Sequence, residues 1–477
     1  MENMELLYRP SMMVIYTLLG TLLGSLFCVI PSLHIYNLAG IAFVIWLNVR
    51  TLVPYYALAP FFMSMVVAFS FMNTIPMTFL GAFDESAGAT LLPSSAMVTQ
   101  GKGKDAALMT GVGTLYGAFL LIIFTPFFFF IWPYIYETLG AHLHWVLGVV
   151  MVFYIMSEWP KGAGRGKSPL KKFMDAWRNL FAGLFTFGAA AVFGLIFTTQ
   201  SIIPIEAAFQ NIMPVFVGFF AVPSIIQSLL AEYDVPEQYD PDEINADWKD
   251  FGYGSGVGVT GGLMAAYLPA VTAGIGALFA GHATNHQALD KPKMEDPPED
   301  SELEIDYQMP EMFYRQERNF LISGGVGKIF YYVGAFLLLF VITDMTPGGM
   351  GRGGLNFILS PAFAPEPGDY WVIASAILLS ASVSFFILYL FTKITINNIH
   401  NFDATYLHYF ALMLIVAIIY GMTGFPGLII TTITTCIGMV PVFYNCRRSH
   451  CMAVLLVPIA LGMAGYGDLI AEILGFI

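Results

Sequence analysis

The sequence predicts an all-α, polytopic integral membrane protein, and three observations carry that expectation. Of its 477 residues 57% are apolar and only 11% charged, and mean hydropathy is +0.70. A soluble chain carries about a quarter charged residues. The apolar residues fall in long continuous runs, not alternating ones, which favours helices over a β-barrel. Gly- and Pro-broken stretches recur at matching places in the chain, which divides it into two related halves.

The runs set the elements in order. Met12–Ile30, Val53–Met72, Ala106–Trp132 and Trp145–Met156 come first. Trp177–Thr199, Phe320–Ile342, Trp371–Thr392, Tyr406–Tyr420, Gly424–Tyr444 and Cys451–Ile477 follow. Since a spanning helix needs about 20 apolar residues, the chain is expected to hold roughly ten to twelve membrane segments. The opening Met1–Pro10 lacks the basic-then-apolar order of a signal peptide. Trp46, Trp132, Trp145, Trp159 and Trp371 suit interfacial belts.

Net charge is −13 and unevenly placed. Residues 232–250 carry eight acids and residues 290–318 ten, together more than half of the 33. These acidic loops are read as solvated surface, and the absence of basic patches speaks against nucleic acid as a partner. Residues 158–178 hold the strongest basic loop, with Lys161, Arg165, Lys167, Lys171, Lys172 and Arg178. The excess of cations places that loop in the cytoplasm of a multi-pass cell-membrane protein. Arg447 and Arg448 assign the next short loop to the same side, which would leave the C-terminus outside. Cys28, Cys436, Cys446 and Cys451 form no disulfide framework. Cys446, His450 and Cys451 read as a short polar loop, so no metal site is expected.

Gly20 and Gly24, followed by Pro31-Ser32-Leu33-His34, match Gly258 and Gly262, followed by Pro269-Ala270-Val271-Thr272, at a common offset of 238 residues. Gly111–Phe119 likewise resembles Gly325–Phe336. The expected organisation is a first membrane repeat over 1–231, an acidic loop over 232–252 and a second repeat over 253–477 with an acidic insertion at 283–318. A G-x-x-x-G pair lets helix backbones approach closely, and the proline that follows interrupts the helix. Paired interruptions in two halves mark a transport site, because non-helical backbone at membrane depth survives only inside protein or along a cavity. The expected anion-binding groups are therefore Pro31, Ser32, His34 and Asn37 in the first half. Pro269, Thr272 and Asn285 supply the second, with His282, Thr284 and His286 nearby. Residues 73–105 are too polar for a plain span and too apolar for an ordinary loop, so a re-entrant hairpin is expected. Asn73, Thr74, Asp84 and Glu85 there are candidates to bind a coupling cation.

At this point the chain resembles the large membrane subunit of tripartite tricarboxylate transporters, in the archaeal branch of the TctA-like family. The resemblance rests on the Gly-rich stretch from Gly20 to Gly40, Asn73-Thr74-Ile75-Pro76, Gly81–Glu85, Leu92-Pro93 and Gln100-Gly101-Lys102-Gly103. Ser168–Lys171 and the closing Arg447-Arg448-Ser449-His450-Cys451-Met452 complete it. The family's usual Pro-Gly-x-Gly stands here as Pro31-Ser32-Leu33-His34, and its second Pro-Gly as Pro269-Ala270. These departures bear on substrate identity, not on fold. The resemblance implies a non-enzymatic secondary transporter for a di- or tricarboxylate-like anion, with no cofactor beyond Na+ or H+ as coupling ion. It also implies a small membrane subunit and an extracytoplasmic binding protein as partners, with lipid around the chain and a homo-oligomer left open.

Two rival readings are weighed against it. A polyprenyl or dolichyl phosphate translocase would use Arg50, Lys102, Lys104 and Arg352. An intramembrane aspartyl protease would use Asp468, in Gly465-Tyr466-Gly467-Asp468, with Asp344 or Asp403. His282 and His286, four residues apart, lack the third ligand a metal hydrolase needs.

Overall fold

A computed structural model describes residues 2–49, 55–82, 88–160, 162–200, 202–203, 209–231, 235–240, 248–268, 271–274, 311–337, 340, 355–359, 366 and 368–475. Every regular element among them is helical. In the first half these are α1 (Glu2–Phe27), α2 (Ile35–Val49), α3 (Leu58–Met72), α4 (Thr74–Leu80) and α5 (Gly88–Val98). α6 (Gly103–Gly140), α7 (Leu143–Met156), α8 (Pro169–Thr199), α9 (Phe209–Phe216) and α10 (Val222–Leu230) follow. Next come α11 (Trp248–Tyr267), α12 (Glu311–Ile329), α13 (Asp369–Asn398), α14 (Ala404–Tyr444), α15 (Ala453–Met463) and α16 (Gly467–Ile473). Two π-helical segments, Val217–Ala221 and Phe330–Gly334, follow α9 and α12 directly.

The chain is a multi-pass membrane protein. Eight described helices are long and apolar enough to cross a bilayer, and up to ten if the two sharply bent pairs count as spans. One of the eight, α14, has 41 residues. At 1.5 Å per residue it measures about 60 Å, twice a hydrocarbon core of about 30 Å. It breaks at Gly424, whose φ of 65° and ψ of −161° are not helical. α14 is therefore two spans meeting at Gly424, as the separate runs Tyr406–Tyr420 and Gly424–Tyr444 suggest, and the total enters the range expected from the sequence.

Two helices form the centre. In the most apolar 18-residue stretch of the span Leu58–Leu80, 94% of the residues are buried, and in that of Glu317–Leu337, 89%. The corresponding share in Ala404–Tyr444 is 28%, so that element lies at the periphery. Glycines explain how the central pair is enclosed. A Cβ on Gly20 of α1 would stand 2.1 Å from the Phe61 carbonyl of α3, and one on Gly24 2.5 Å from that of Met65. On the other side, a Cβ on Gly258 of α11 would meet the Ser323 carbonyl of α12 at 2.6 Å, and one on Gly262 that of Gly327 at 2.9 Å.

α6 closes on α12 by the same means. Gly113 faces the Ile322 carbonyl, and Gly325 faces that of Thr110. The glycines of 111–119 and 325–336 that look alike in sequence thus belong to helices packed on each other. α13 joins α1 to α3 through hydroxyls. Thr21 Oγ1 lies 2.8 Å from Ser380 Oγ, and Ser380 donates to the Ser64 carbonyl at 2.9 Å.

Candidate functional site

The interruption after α1 forms the first wall of the site. The helix stops at Phe27, turns through residues 28–34 and restarts as α2 at Ile35. Pro31 is buried, and Ser32 adopts φ +63°. That left-handed conformation favours glycine. A glycine would adopt it without strain. His34, two residues on, places its ring among aromatic side chains. Its Nδ1 accepts the Tyr36 N–H at 3.2 Å, so in the neutral ring the proton sits on Nε2. Nε2 then donates to the Tyr332 hydroxyl oxygen at 3.2 Å. Phe69, Tyr36 and Tyr332 pack around the imidazole at centroid distances of 4.9 to 5.9 Å. Asn37 is buried in the first turn of α2, its N–H bonded to the His34 carbonyl.

A second irregularity, a missing hydrogen bond and not a stop, lies where the sequence has Asn73-Thr74-Ile75-Pro76. Pro76 has no N–H for the Met72 carbonyl four residues back. Asn73 keeps helical dihedrals (φ −60°, ψ −16°), so α3 runs on into α4 as the single span Leu58–Leu80. Asn73 and Thr74 are buried, and Thr74 Oγ1 accepts a hydrogen bond from the Lys328 ammonium at 3.3 Å. Lys328 is fully buried in the last turn of α12, where the helix passes into the π segment. π segments inside helices are frequent at functional sites. The sequence reading missed Lys328, although a single cation between Gly327 and Ile329 in an otherwise apolar run was a visible signal.

Another interruption follows α11. Val271 and Thr272 are buried, and Thr272 Oγ1 has no hydrogen-bond partner among the described residues. Pro269, Asn285, Asp84 and Glu85 lie outside the described residues, as do His282, Thr284 and His286. Tyr331 packs against both the large central cluster and the smaller cluster that includes Val271, and its ring lies 4.8 Å from that of Tyr332.

Several family-like motifs hold structure together instead. Ser168 caps α8 by accepting the Lys171 N–H, with Pro169 at the first helical position. The Gln100–Gly103 turn seats residues 235–240. There the Gly103 N–H donates to Gln238 Oε1 at 2.9 Å and the Tyr239 N–H to the Gly101 carbonyl at 2.8 Å. Lys104 pairs with Asp240, whose carboxyl is held below its ordinary range by that bond. The basic group a phosphate carrier would need at Lys104 is thus engaged within the chain.

The closing motif is a buried latch, not the polar loop its composition suggests. His450 is fully buried, with Nε2 3.7 Å from Glu158 Oε1, and the Arg447 N–H donates to the same oxygen at 2.8 Å. Burial pushes the Glu158 carboxyl up. The His450 ring close by and the hydrogen bond from the Arg447 N–H outweigh it and bring the carboxyl below the usual range. Burial, with the Glu158 charge second, pushes the Cys446 thiol up to about 12. A thiol held protonated is a poor metal ligand. Among the described residues no three His, Cys, Asp or Glu side chains are grouped to hold a metal. Asp403 caps α14 through the Thr405 N–H, and Asp468 is exposed, while Asp344 lies outside the described residues.

With this geometry in place, comparison with known proteins gives three findings. The family described as the tripartite tricarboxylate transporter TctA family matches residues 14–453. An uncharacterised protein of Methanocaldococcus jannaschii is 22% identical over 219 residues, covering 45% of this chain and 48% of the relative. The chain thus spans about half the length of the curated relative it matches. No solved structure matches.

Proposed function

This chain belongs to the tripartite tricarboxylate transporter TctA family, and from that premise we propose that it moves a small organic anion of di- or tricarboxylate type by cation- or proton-coupled secondary transport. The observation that supports the reading is the presence of buried polar groups at interrupted helices in an otherwise apolar core: Asn37 and the His34–Tyr332 contact at the turn after α1, and Thr272 at the break after α11. Backbone N–H groups freed at such turns suit a carboxylate. Ser32 and the neighbours of Pro31 and Pro269 supply them in this account, with Asn285 adding a side-chain amide. Asn73, Asp84 and Glu85 serve the coupling ion.

The matched glycine contacts of α1 on α3 and of α11 on α12 support two equivalent halves, 1–231 and 253–477. Alternating access then moves one half against the other. Lys104, Lys393 and Asp240 meet beside the 235–240 segment, which follows α10 closely, and Arg448 bonds Gln227 on α10. Basic groups thus gather at one end of the helices, which supports a cytoplasmic placement of 158–178. The word tripartite in the family's name supports a small membrane subunit and a binding protein as partners.

A thermal-shift panel on the detergent-purified chain tests the proposal. The ligands are di- and tricarboxylates with and without sodium at two pH values, and a short-chain polyprenyl phosphate. A ligand that binds only the folded state raises the transition by mass action. A carboxylate shift that depends on sodium or pH is expected. A shift with the polyprenyl phosphate alone would replace the carboxylate reading.

A further inference from the structure

Lys328 sits deep in the interior on α12. It is fully buried, and every residue from Leu321 to Phe330 around it is buried. An ionisable side chain at such depth is costly to keep and marks a substrate or ion path. Its place is specific. Lys328 and Tyr332 are four residues apart across the junction of α12 with the π segment. Lys328 touches Thr74, two residues before the missing Pro76 N–H, and Tyr332 touches His34, in the Pro31 turn. The lysine and the tyrosine one turn on thus reach two irregular stretches of the chain's first half from one central helix.

We infer that Lys328 is the fixed positive charge that binds a carboxylate of the substrate, with Thr74 as the positioning residue that holds the ammonium when the site is closed. This rests on the transporter reading above. A hydroxyl is a neutral acceptor, and a carboxylate accepts the same hydrogen bond with charge assistance. When the seam between α4 and α12 opens, a carboxylate takes the acceptor place of Thr74 Oγ1. The ammonium balances one negative charge of the anion, and a second carboxylate is left to the turn N–H groups and the coupling cation. A metal cation on Thr74 itself would stand against the ammonium 3.3 Å away, so coupling through that hydroxyl is disfavoured.

The test is equilibrium binding to the full-length chain in detergent. Citrate, succinate and a short-chain polyprenyl phosphate are the probes, and the proteins are wild type, Lys328→Met, Lys328→Arg, Thr74→Val and Thr74→Ser. Lys328→Met is expected to weaken citrate at least 100-fold, and Lys328→Arg less than tenfold. Thr74→Val is expected to weaken it several-fold and Thr74→Ser to restore it. Wild-type affinity in Lys328→Met overturns the role of Lys328 and leaves the transporter reading standing. If the wild type binds neither carboxylate, or binds the polyprenyl phosphate alone, both readings fall together. Should Lys328→Met not fold, Lys328→Arg decides. A planar guanidinium meets a carboxylate in a different geometry, so the preference for citrate over succinate should shift at least tenfold. An unchanged preference overturns the assignment.

Discussion

α3 and α12 are enclosed by the same device and carry different side chains. Each is covered by a helix whose glycines press on its backbone carbonyls: Gly20 and Gly24 for α3, Gly258 and Gly262 for α12. The hydroxyls inside α3 bond to its own backbone, Ser64 to the Phe61 carbonyl and Ser70 to that of Val66. α12 adds a buried ammonium, a π segment and an ion pair to α11, with Arg318 Nε 3.6 Å from Asp250 Oδ2. Close packing is the scaffold common to both, and the chemistry sits in what the second helix adds.

The largest expected effect removes the added ion pair. Asp250 is 1% exposed, and deleting one member of a buried pair costs about 3–5 kcal/mol. Asp250→Ala should lower the thermal midpoint of the purified chain more than any glycine change. Equal destabilisation by Gly20→Val would contradict the view that the α11–α12 pair depends on this clamp.

Next come the glycines. Gly20→Val and Gly262→Val should each cost about 1–3 kcal/mol by overpacking against fixed backbone. Gly148 and Gly188 have open space at the Cβ position, so Gly148→Ala and Gly188→Ala should be neutral or slightly stabilising, as thermal unfolding would show. A drop matching that of Gly20→Val would mean that glycine contacts do not set the packing.

Smaller effects belong to the ends of the helices. Ser168→Ala removes the α8 cap and should cost about 1 kcal/mol. Ser32→Gly relieves the left-handed serine and should stabilise the turn by about 1 kcal/mol. It should leave the His34–Tyr332 contact unchanged. Glu158 titrates below its ordinary range in the folded chain. Its contribution is therefore present above the unfolded value of about 4.3 and lost as pH falls through the lower folded value. Glu158→Gln should flatten the acid limb of a stability-against-pH curve. A wild-type acid limb in that variant would remove the latch from the account.

Much of this was legible because it is local or periodic. Long apolar runs gave the spans. Gly20, Gly24, Gly258 and Gly262 gave the close contacts, since only a missing Cβ lets a carbonyl approach to such distances. What stayed hidden was which distant side chains meet. His450 and Glu158 lie far apart in the chain, and nothing local to His450 says that it is buried against a carboxylate. The Gln100–Gly103 motif looked like part of a re-entrant loop, yet its glycines serve to seat Gln238 and Tyr239. Lys328 was overlooked because one cation hardly changes the hydropathy of its run, while its burial depends on parts of the chain far from it in sequence, Thr74 among them.

The central claim is that the turns at Pro31 and Pro269 line one substrate site. Ligand protection of single cysteines tests it most directly. Cys28, Cys436, Cys446 and Cys451 are first replaced, since all four are free thiols. Ser32→Cys and Thr272→Cys are then introduced separately, and maleimide labelling is followed with and without the stabilising carboxylate. The account expects that carboxylate to slow labelling at both positions over the same concentration range. Protection at one turn only, or at neither, would contradict a shared site.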